Sequence, residues 1–232
     1  MKRLPLIGCL VLCVAAATAE AVTVTYTTSH DVYIEWNRAN GGISNRNSKG
    51  LLKQQWGADP SGPTDIVKSY IKFDVPADLV TINSVTLRLT NLNVGESDND
   101  GDPVEIWALP DGYDGWDEAV LAWNQATSSY ANDPSGRYFT AGQAVGSGTC
   151  NAGKGVATDF SLDVAKMQAL VDADGDGLVT LTIAAMTSSY WCDSENSQSS
   201  YRPGLIWDYE VPEPATMSLL VLGGLACLRR RR

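Results

Sequence analysis

Histidine is nearly missing from this chain. It occurs once in 232 residues, at His30. No serine or cysteine has the context of a Ser/His/Asp array around it. No two cysteines stand at metal-ligand spacing, which argues against zinc. No glycine-rich loop of phosphate-cradling form is present. Asp117-Glu118 could serve glycoside hydrolysis in principle, but the pair reads as a turn or cap signal before Ala119 to Trp123. The chain is therefore expected not to be an enzyme. Positive charge is scarce as well: 17 Lys and Arg stand against 27 Asp and Glu. Six of those 17 and two of those 27 lie in residues 1–21 and 211–232, so the region between carries a charge near −14. Such a surface repels nucleic acid, and no nucleic-acid partner is expected. Long apolar runs are also absent; none reaches the roughly 20 residues a membrane span needs.

Two shorter apolar runs mark the ends. Lys2 and Arg3 precede an apolar stretch from Leu4 to Ala17. Ala17-Thr18-Ala19 and Ala19-Glu20-Ala21 both offer small-x-small cleavage sites. Residues 1–21 thus read as a signal peptide removed by signal peptidase during export. At the other end stand Pro212-Glu213-Pro214, an apolar run from Met217 to Leu228, and Arg229, Arg230, Arg231 and Arg232. A run of that length is roughly 18 Å as a helix, well short of the roughly 30 Å hydrocarbon core. The arginines would stay on the cytoplasmic side. This order of parts in residues 211–232 resembles the PEP-CTERM sorting signal. The resemblance implies a transient membrane-inserted helix and cleavage near Pro-Glu-Pro by an exosortase-type membrane protease. Release or attachment at the cell surface would follow. An ordinary tail anchor is the alternative.

Between the signals lies one domain, residues 22–210, long enough to bury a core. Strict alternation marks several strands. Val85, Leu87 and Leu89 share one face of Ser84 to Asn91. Ile71, Phe73 and Val75 are expected to point inward, with Tyr70, Lys72 and Asp74 outward. Val179, Leu181 and Ile183 alternate with Thr180 and Thr182. Val22 to Thr28, Asp31 to Trp36, Val104 to Leu109 and Leu205 to Val211 complete the set. Loops are expected over Asn37 to Gly50, Gly57 to Thr64, Gly95 to Pro103 and Ala126 to Gly136. One helix is expected over Leu162 to Val171, packing through Leu162, Ala165, Ala169 and Leu170. Many short strands without βαβ alternation predict an all-β, antiparallel sandwich.

The order of motifs supports a narrower reading. Asp31-Val32-Tyr33-Ile34 comes first, then Ser69-Tyr70-Ile71-Lys72-Phe73-Asp74-Val75 and Ile82-x-Ser84-Val85-x-Leu87-x-Leu89. Trp116-Asp117-Glu118-x4-Trp123-Asn124 follows, and Arg202-Pro203-x-Leu205-x-Trp207-x-Tyr209 closes the series. This order resembles the DNRLRE-type domain. The resemblance implies a jelly-roll β-sandwich, of which some members are carbohydrate-binding modules for acidic polysaccharide. The chain departs from the pattern at Ala126-Thr127, where the family usually has proline.

Aromatic faces stack on sugar rings, and amides and charges fix the hydroxyls. Trp116, Trp123 and Trp207 read as core. Trp36, Trp56, Tyr113 and Trp191 stand at strand ends or in loops and are the aromatic candidates for carbohydrate binding. Lys72 and Arg88, at outward strand positions, are the candidate partners for an acidic sugar. Asp172, Asp174 and Asp176, with Gly177, begin like an EF-hand loop, but its twelfth position is Ile183, so a true EF-hand is excluded. The segment could still hold Ca²⁺ with help from Asp98 to Asp102, or be a solvated turn. Cys150 and Cys192 are the cysteines outside the signals; in an exported domain they suggest a disulfide or else two free thiols. Two functions stay open: an exported cell-surface or matrix protein that binds exopolysaccharide, or a structural envelope protein without a glycan ligand.

Overall fold

The computed structural model describes residues 20–28, 30–37, 44–45, 51–59, 62–92, 101–123, 133, 139–151, 153–184, 189–192 and 196–211. The expected signal peptide apart from its last two residues, the sorting segment after Val211, Arg229 and Arg230 included, and Asp98 to Asp100 lie outside them. The strands are β1 (Glu20–Thr27), β2 (His30–Asn37), β3 (Ser44–Asn45), β4 (Leu52–Asp59), β5 (Gly62–Asp74) and β6 (Thr81–Thr90). After them come β7 (Pro103–Ala108), β8 (Gln143–Thr149), β9 (Ala157–Ser161), β10 (Leu178–Ala184), β11 (Ser189–Trp191) and β12 (Gly204–Val211). A helix, α1 (Val164–Ala173), stands between β9 and β10.

Every pairing among these strands is antiparallel. A small sheet has the order β1-β12-β6-β9, and a larger one runs β11-β4-β5-β10-β7-β8. One edge of the long β5 serves two strands in turn: β4 pairs with its first half and β10 with its second. β2 pairs along its other edge.

Period-two alternation puts one apolar face of each sheet into a shared core. Phe73, Leu181, Ile183 and Ile106 come from the large sheet; Val85, Leu87, Leu205, Trp207 and Phe160 come from the small one. All the alternating residues expected inside β5, β6, β10 and β12 are buried, apart from the half-buried Val75 just past β5. Each large side chain removed from water contributes about 1.5–3 kcal/mol. Two antiparallel sheets around one core are consistent with a β-sandwich.

The far face of the large sheet differs from expectation. Ile66, Lys68, Tyr70 and Lys72 occupy the even positions of β5, and all four are buried. The reason is the long connection from β7 to β8. Leu109, Trp116, Leu121, Trp123 and Phe139 lie over this face and form a second apolar cluster with Val32, Ile34 and Tyr70. Tyr70 meets Trp116 and Phe139 edge-on, at centroid distances of 5.9 and 5.7 Å. Trp116 donates from Nε1 to Thr180 Oγ1 at 3.0 Å, which satisfies two buried polar groups at once.

Smaller corrections follow the same logic. The expected loop at Gly57 to Thr64 is mostly the closing end of the β4–β5 hairpin, with Asp59 opposite Gly62. β3 interrupts the loop expected over Asn37 to Gly50. The helix starts two residues later than expected, capped by Asp163, whose side chain accepts from the Lys166 amide at 3.1 Å. Its buried residue is Met167, while Ala165 and Ala169 face solvent. β1 begins at Glu20, opposite Val211. Cleavage after Ala19 keeps this strand whole; cleavage after Ala21 trims its first two pairs.

Candidate functional site

The side chains expected to bind an acidic sugar are not brought together. Lys72 is 9 % exposed and lies beneath the covering segment. Its Nζ donates to the Trp116 carbonyl at 3.0 Å and sits 4.6 Å from the Trp116 ring centroid. Burial lowers its pKa and outweighs the pull of Asp114, Asp176, Asp117 and Glu118. Arg88 belongs to the other sheet. Its Nε and Nη2 donate to Asp159 Oδ1 and Oδ2 at 2.7 and 2.6 Å, across the β6–β9 register. The Asp159 hydrogen bonds raise the Arg88 pKa, and those same bonds lower that of Asp159. An exposed cation locked in this fork is not free for a ligand, and such a surface pair adds little stability.

The aromatic candidates divide similarly. Trp191 is wholly buried in the main core, because β11 pairs with β4 and places it opposite Leu52. Trp36 and Tyr113 are half-buried and pack against the second cluster. Trp56 takes a register position opposite Ile66; its side chain lies outside the described residues. Cys150 and Cys192 are buried thiols, and the expected bridge between them is not formed. Burial, helped by Asp102, pushes the Cys150 thiol up to about 12, which keeps it protonated at neutral pH. An even count of cysteines could not show how the ends of β8 and β11 approach.

The acidic residues regroup. Asp172 sits on the helix, where its Oδ1 accepts from Gln168 Nε2 at 2.8 Å. Asp174 and Asp176 instead meet Asp111 and Asp114 from the segment after β7, with one carboxylate oxygen of each within 4.8 Å of the others. Asp174 accepts from the amides of Asp176 and Gly177 at 3.2 and 2.9 Å, shaping the turn into β10. Gly177 takes φ +80°, a conformation that favours glycine. Burial raises the Asp114 pKa, and the negative charges of Asp176 and Asp111 add to this. Asp111 and Asp114 were not anticipated; their signal is the Asp-Gly-Tyr-Asp spacing directly after a strand.

A second feature was also missed. A cleft of about 210 Å³ opens between the end of β6, the turn at Lys154-Gly155 and residues 196–201. Asn91, Lys154, Asn196, Gln198 and Tyr201 line it. Gly155 lets the chain pass beneath Tyr201: a Cβ there would lie 3.0 Å from the tyrosine hydroxyl, and its φ is +76°. The Asn196 side chain accepts from the Gln198 amide at 2.9 Å, and its carbonyl accepts from Arg202 Nε at 2.9 Å. These bonds hold the rim. The Lys154 ammonium, the Gln198 side-chain amide and the Tyr201 hydroxyl make no hydrogen bond to the described residues.

A family model of the PEP-CTERM protein-sorting motif matches residues 210–232. The chain carries this sorting motif. It marks an exported protein processed by an exosortase and directed to the cell surface or extracellular space. The matched segment begins on the last two residues of β12, so the folded domain abuts Pro212, Glu213 and Pro214 without a spacer. No helix among the described residues is long and apolar enough to cross a membrane. No curated protein matches the chain.

Proposed function

We propose that this exported protein is a non-catalytic, jelly-roll polysaccharide-binding module of the cell surface or matrix, with a cleft for one sugar ring at Lys154, Gln198 and Tyr201. The carrying observation is the cleft's lining: an aromatic ring beside an amide and an ammonium that have no hydrogen-bond partner among the described residues. Its volume is below the roughly 300–1,000 Å³ that encloses a drug-sized ligand. An open site of this size suits one ring of a longer chain. The DNRLRE-like order of motifs supports the same reading. With one cation in the cleft on a strongly acidic domain, the ligand is a neutral or weakly acidic glycan.

Retention of the exported domain on immobilised exopolysaccharides tests this reading. Tyr201→Ala and Gln198→Ala should each weaken retention several-fold while leaving the melting temperature unchanged. No reducing ends should appear in the flow-through. Retention that survives both substitutions would place the glycan elsewhere. No retention on any polysaccharide would leave the structural envelope role in its place.

A further inference from the structure

We infer that Asp111, Asp114, Asp174 and Asp176 form a calcium site that pins the segment after β7 to the turn between α1 and β10. The four carboxylates come from two stretches of chain far apart in sequence, yet one oxygen of each lies within 4.8 Å of the rest. Oxygen ligands at about 2.3–2.6 Å around a shared Ca²⁺ span up to about 5 Å. The smaller Mg²⁺, at about 2.0–2.1 Å, calls for a tighter cage.

The second observation is Asp114 itself. It is 4 % exposed, and its carboxylate is aimed into this cluster. Among the described residues its own backbone amide is its one hydrogen-bond donor, and no basic side chain there forms an ion pair with it. A buried carboxylate costs several kcal/mol when nothing compensates it. Among the described residues Lys72 is the basic side chain that acts on Asp114 and Asp176, and it does so without an ion pair. Its ammonium is committed to the Trp116 carbonyl and ring. One ammonium cannot balance four carboxylates, whereas a divalent cation between them removes most of the repulsion. Water and bidentate carboxylates would complete the six to eight oxygens that Ca²⁺ takes.

The placement gives the ion a role. Trp116, Leu121 and Trp123 follow Asp114 within a few residues and close the second apolar cluster. An ion held between Asp114 and Asp176 would fasten this cover to the large sheet, where β10 begins at Leu178. Its removal would loosen the cover before the main core.

The test uses full-length mature protein, stripped of metal by chelation and titrated with CaCl₂ alone. Calorimetry should show binding heat, and the melting temperature should rise with calcium as ligand linkage requires. Asp111→Asn, at an exposed position, and Asp114→Asn should each weaken calcium affinity roughly tenfold or more. Asp172→Asn should bind calcium like the unaltered protein. In the absence of metal, Asp114→Asn should melt no lower than the unaltered protein, which shows that it folds. MgCl₂ at equal concentration should give the smaller shift. Absence of both heat and melting shift in the unaltered protein would overturn the site. So would full calcium affinity in Asp111→Asn and Asp114→Asn.

Discussion

Lys68 is the residue whose position departs furthest from its chemistry. It is 1 % exposed, beneath Trp123 and Phe139, whose ring centroids lie 5.3 and 4.7 Å from its Nζ. Nζ donates to the Asp133 carbonyl at 3.1 Å. Burial lowers its pKa to about 7, against the opposing pull of Asp133. An unfolded lysine titrates near 10.5. Between those values the unfolded chain binds a proton that the folded chain does not, so stability rises with pH. Lys72, also lowered, acts with the same sign. Cys150 opposes it above pH 9, because its folded pKa near 12 exceeds the unfolded value of 9.0. The melting temperature should therefore climb from about pH 7 to pH 9 and then level or fall. Lys68→Met should flatten most of that climb and melt higher at pH 7. Parallel pH curves for the two proteins would show that this amine is not the source. At this scale the sequence was legible only where a residue's neighbours in the chain decide its fate. Leu87 and Ile71 follow from alternation alone. Lys68, Tyr70 and Lys72 alternate just as cleanly, yet a segment some forty residues further on covers them, and no local pattern carries that information.

Among the elements, β8 shows why strands went unread. Gln143 to Thr149 has one large apolar residue, Val145, and two glycines, and its composition reads as loop. The glycines have a packing reason. A Cβ on Gly146 would lie 2.8 Å from Leu162 Cδ2 and 3.1 Å from the Ser161 carbonyl oxygen. One on Gly148 would lie 2.9 Å from Phe160 Cδ1. These positions let β8 press against the end of β9, where the Phe160 and Leu162 side chains enter the core. Gly146→Ala and Gly148→Ala should each cost about 1–3 kcal/mol through overpacking. Gly115→Ala, where a Cβ would meet nothing within 4 Å, should stay within about 0.5 kcal/mol. Urea unfolding midpoints of the three variants check this ordering. If Gly148→Ala matched Gly115→Ala, the close approach of Phe160 would not constrain β8. The candidate sites were hidden for a related reason. Asp174 and Asp176 stood out as a motif, but their partners Asp111 and Asp114 come from another element. The cleft of Lys154, Gln198 and Tyr201 exists only because the turn after Cys150 and the segment before β12 meet.

Across the whole molecule, the first and last strands close one sheet. β1 pairs with β12 over its full length, and β12 lies between β1 and β6. Leu205, Trp207 and Tyr209 of β12 are at most 3 % exposed and face the main core. The small sheet therefore cannot be completed until residues 204–211 are available, immediately ahead of Pro212-Glu213-Pro214. Pairings this distant in sequence are slow to form, because loop-closure entropy is lost before the contacts compensate it. A chain covering residues 20–203 leaves β1 unpaired, exposes an edge of β6 and removes three large core side chains. Losing even one such side chain costs about 3–5 kcal/mol, against a total stability of about 5–15 kcal/mol. That shortened chain should show no cooperative thermal transition and no fixed near-ultraviolet circular dichroism. A chain covering residues 20–211 should melt like one extending to Arg232, because the sheet is complete at Val211. A native-like spectrum from residues 20–203 would refute this dependence. Lower stability of residues 20–211 would mean that the sorting segment contributes to the fold it follows.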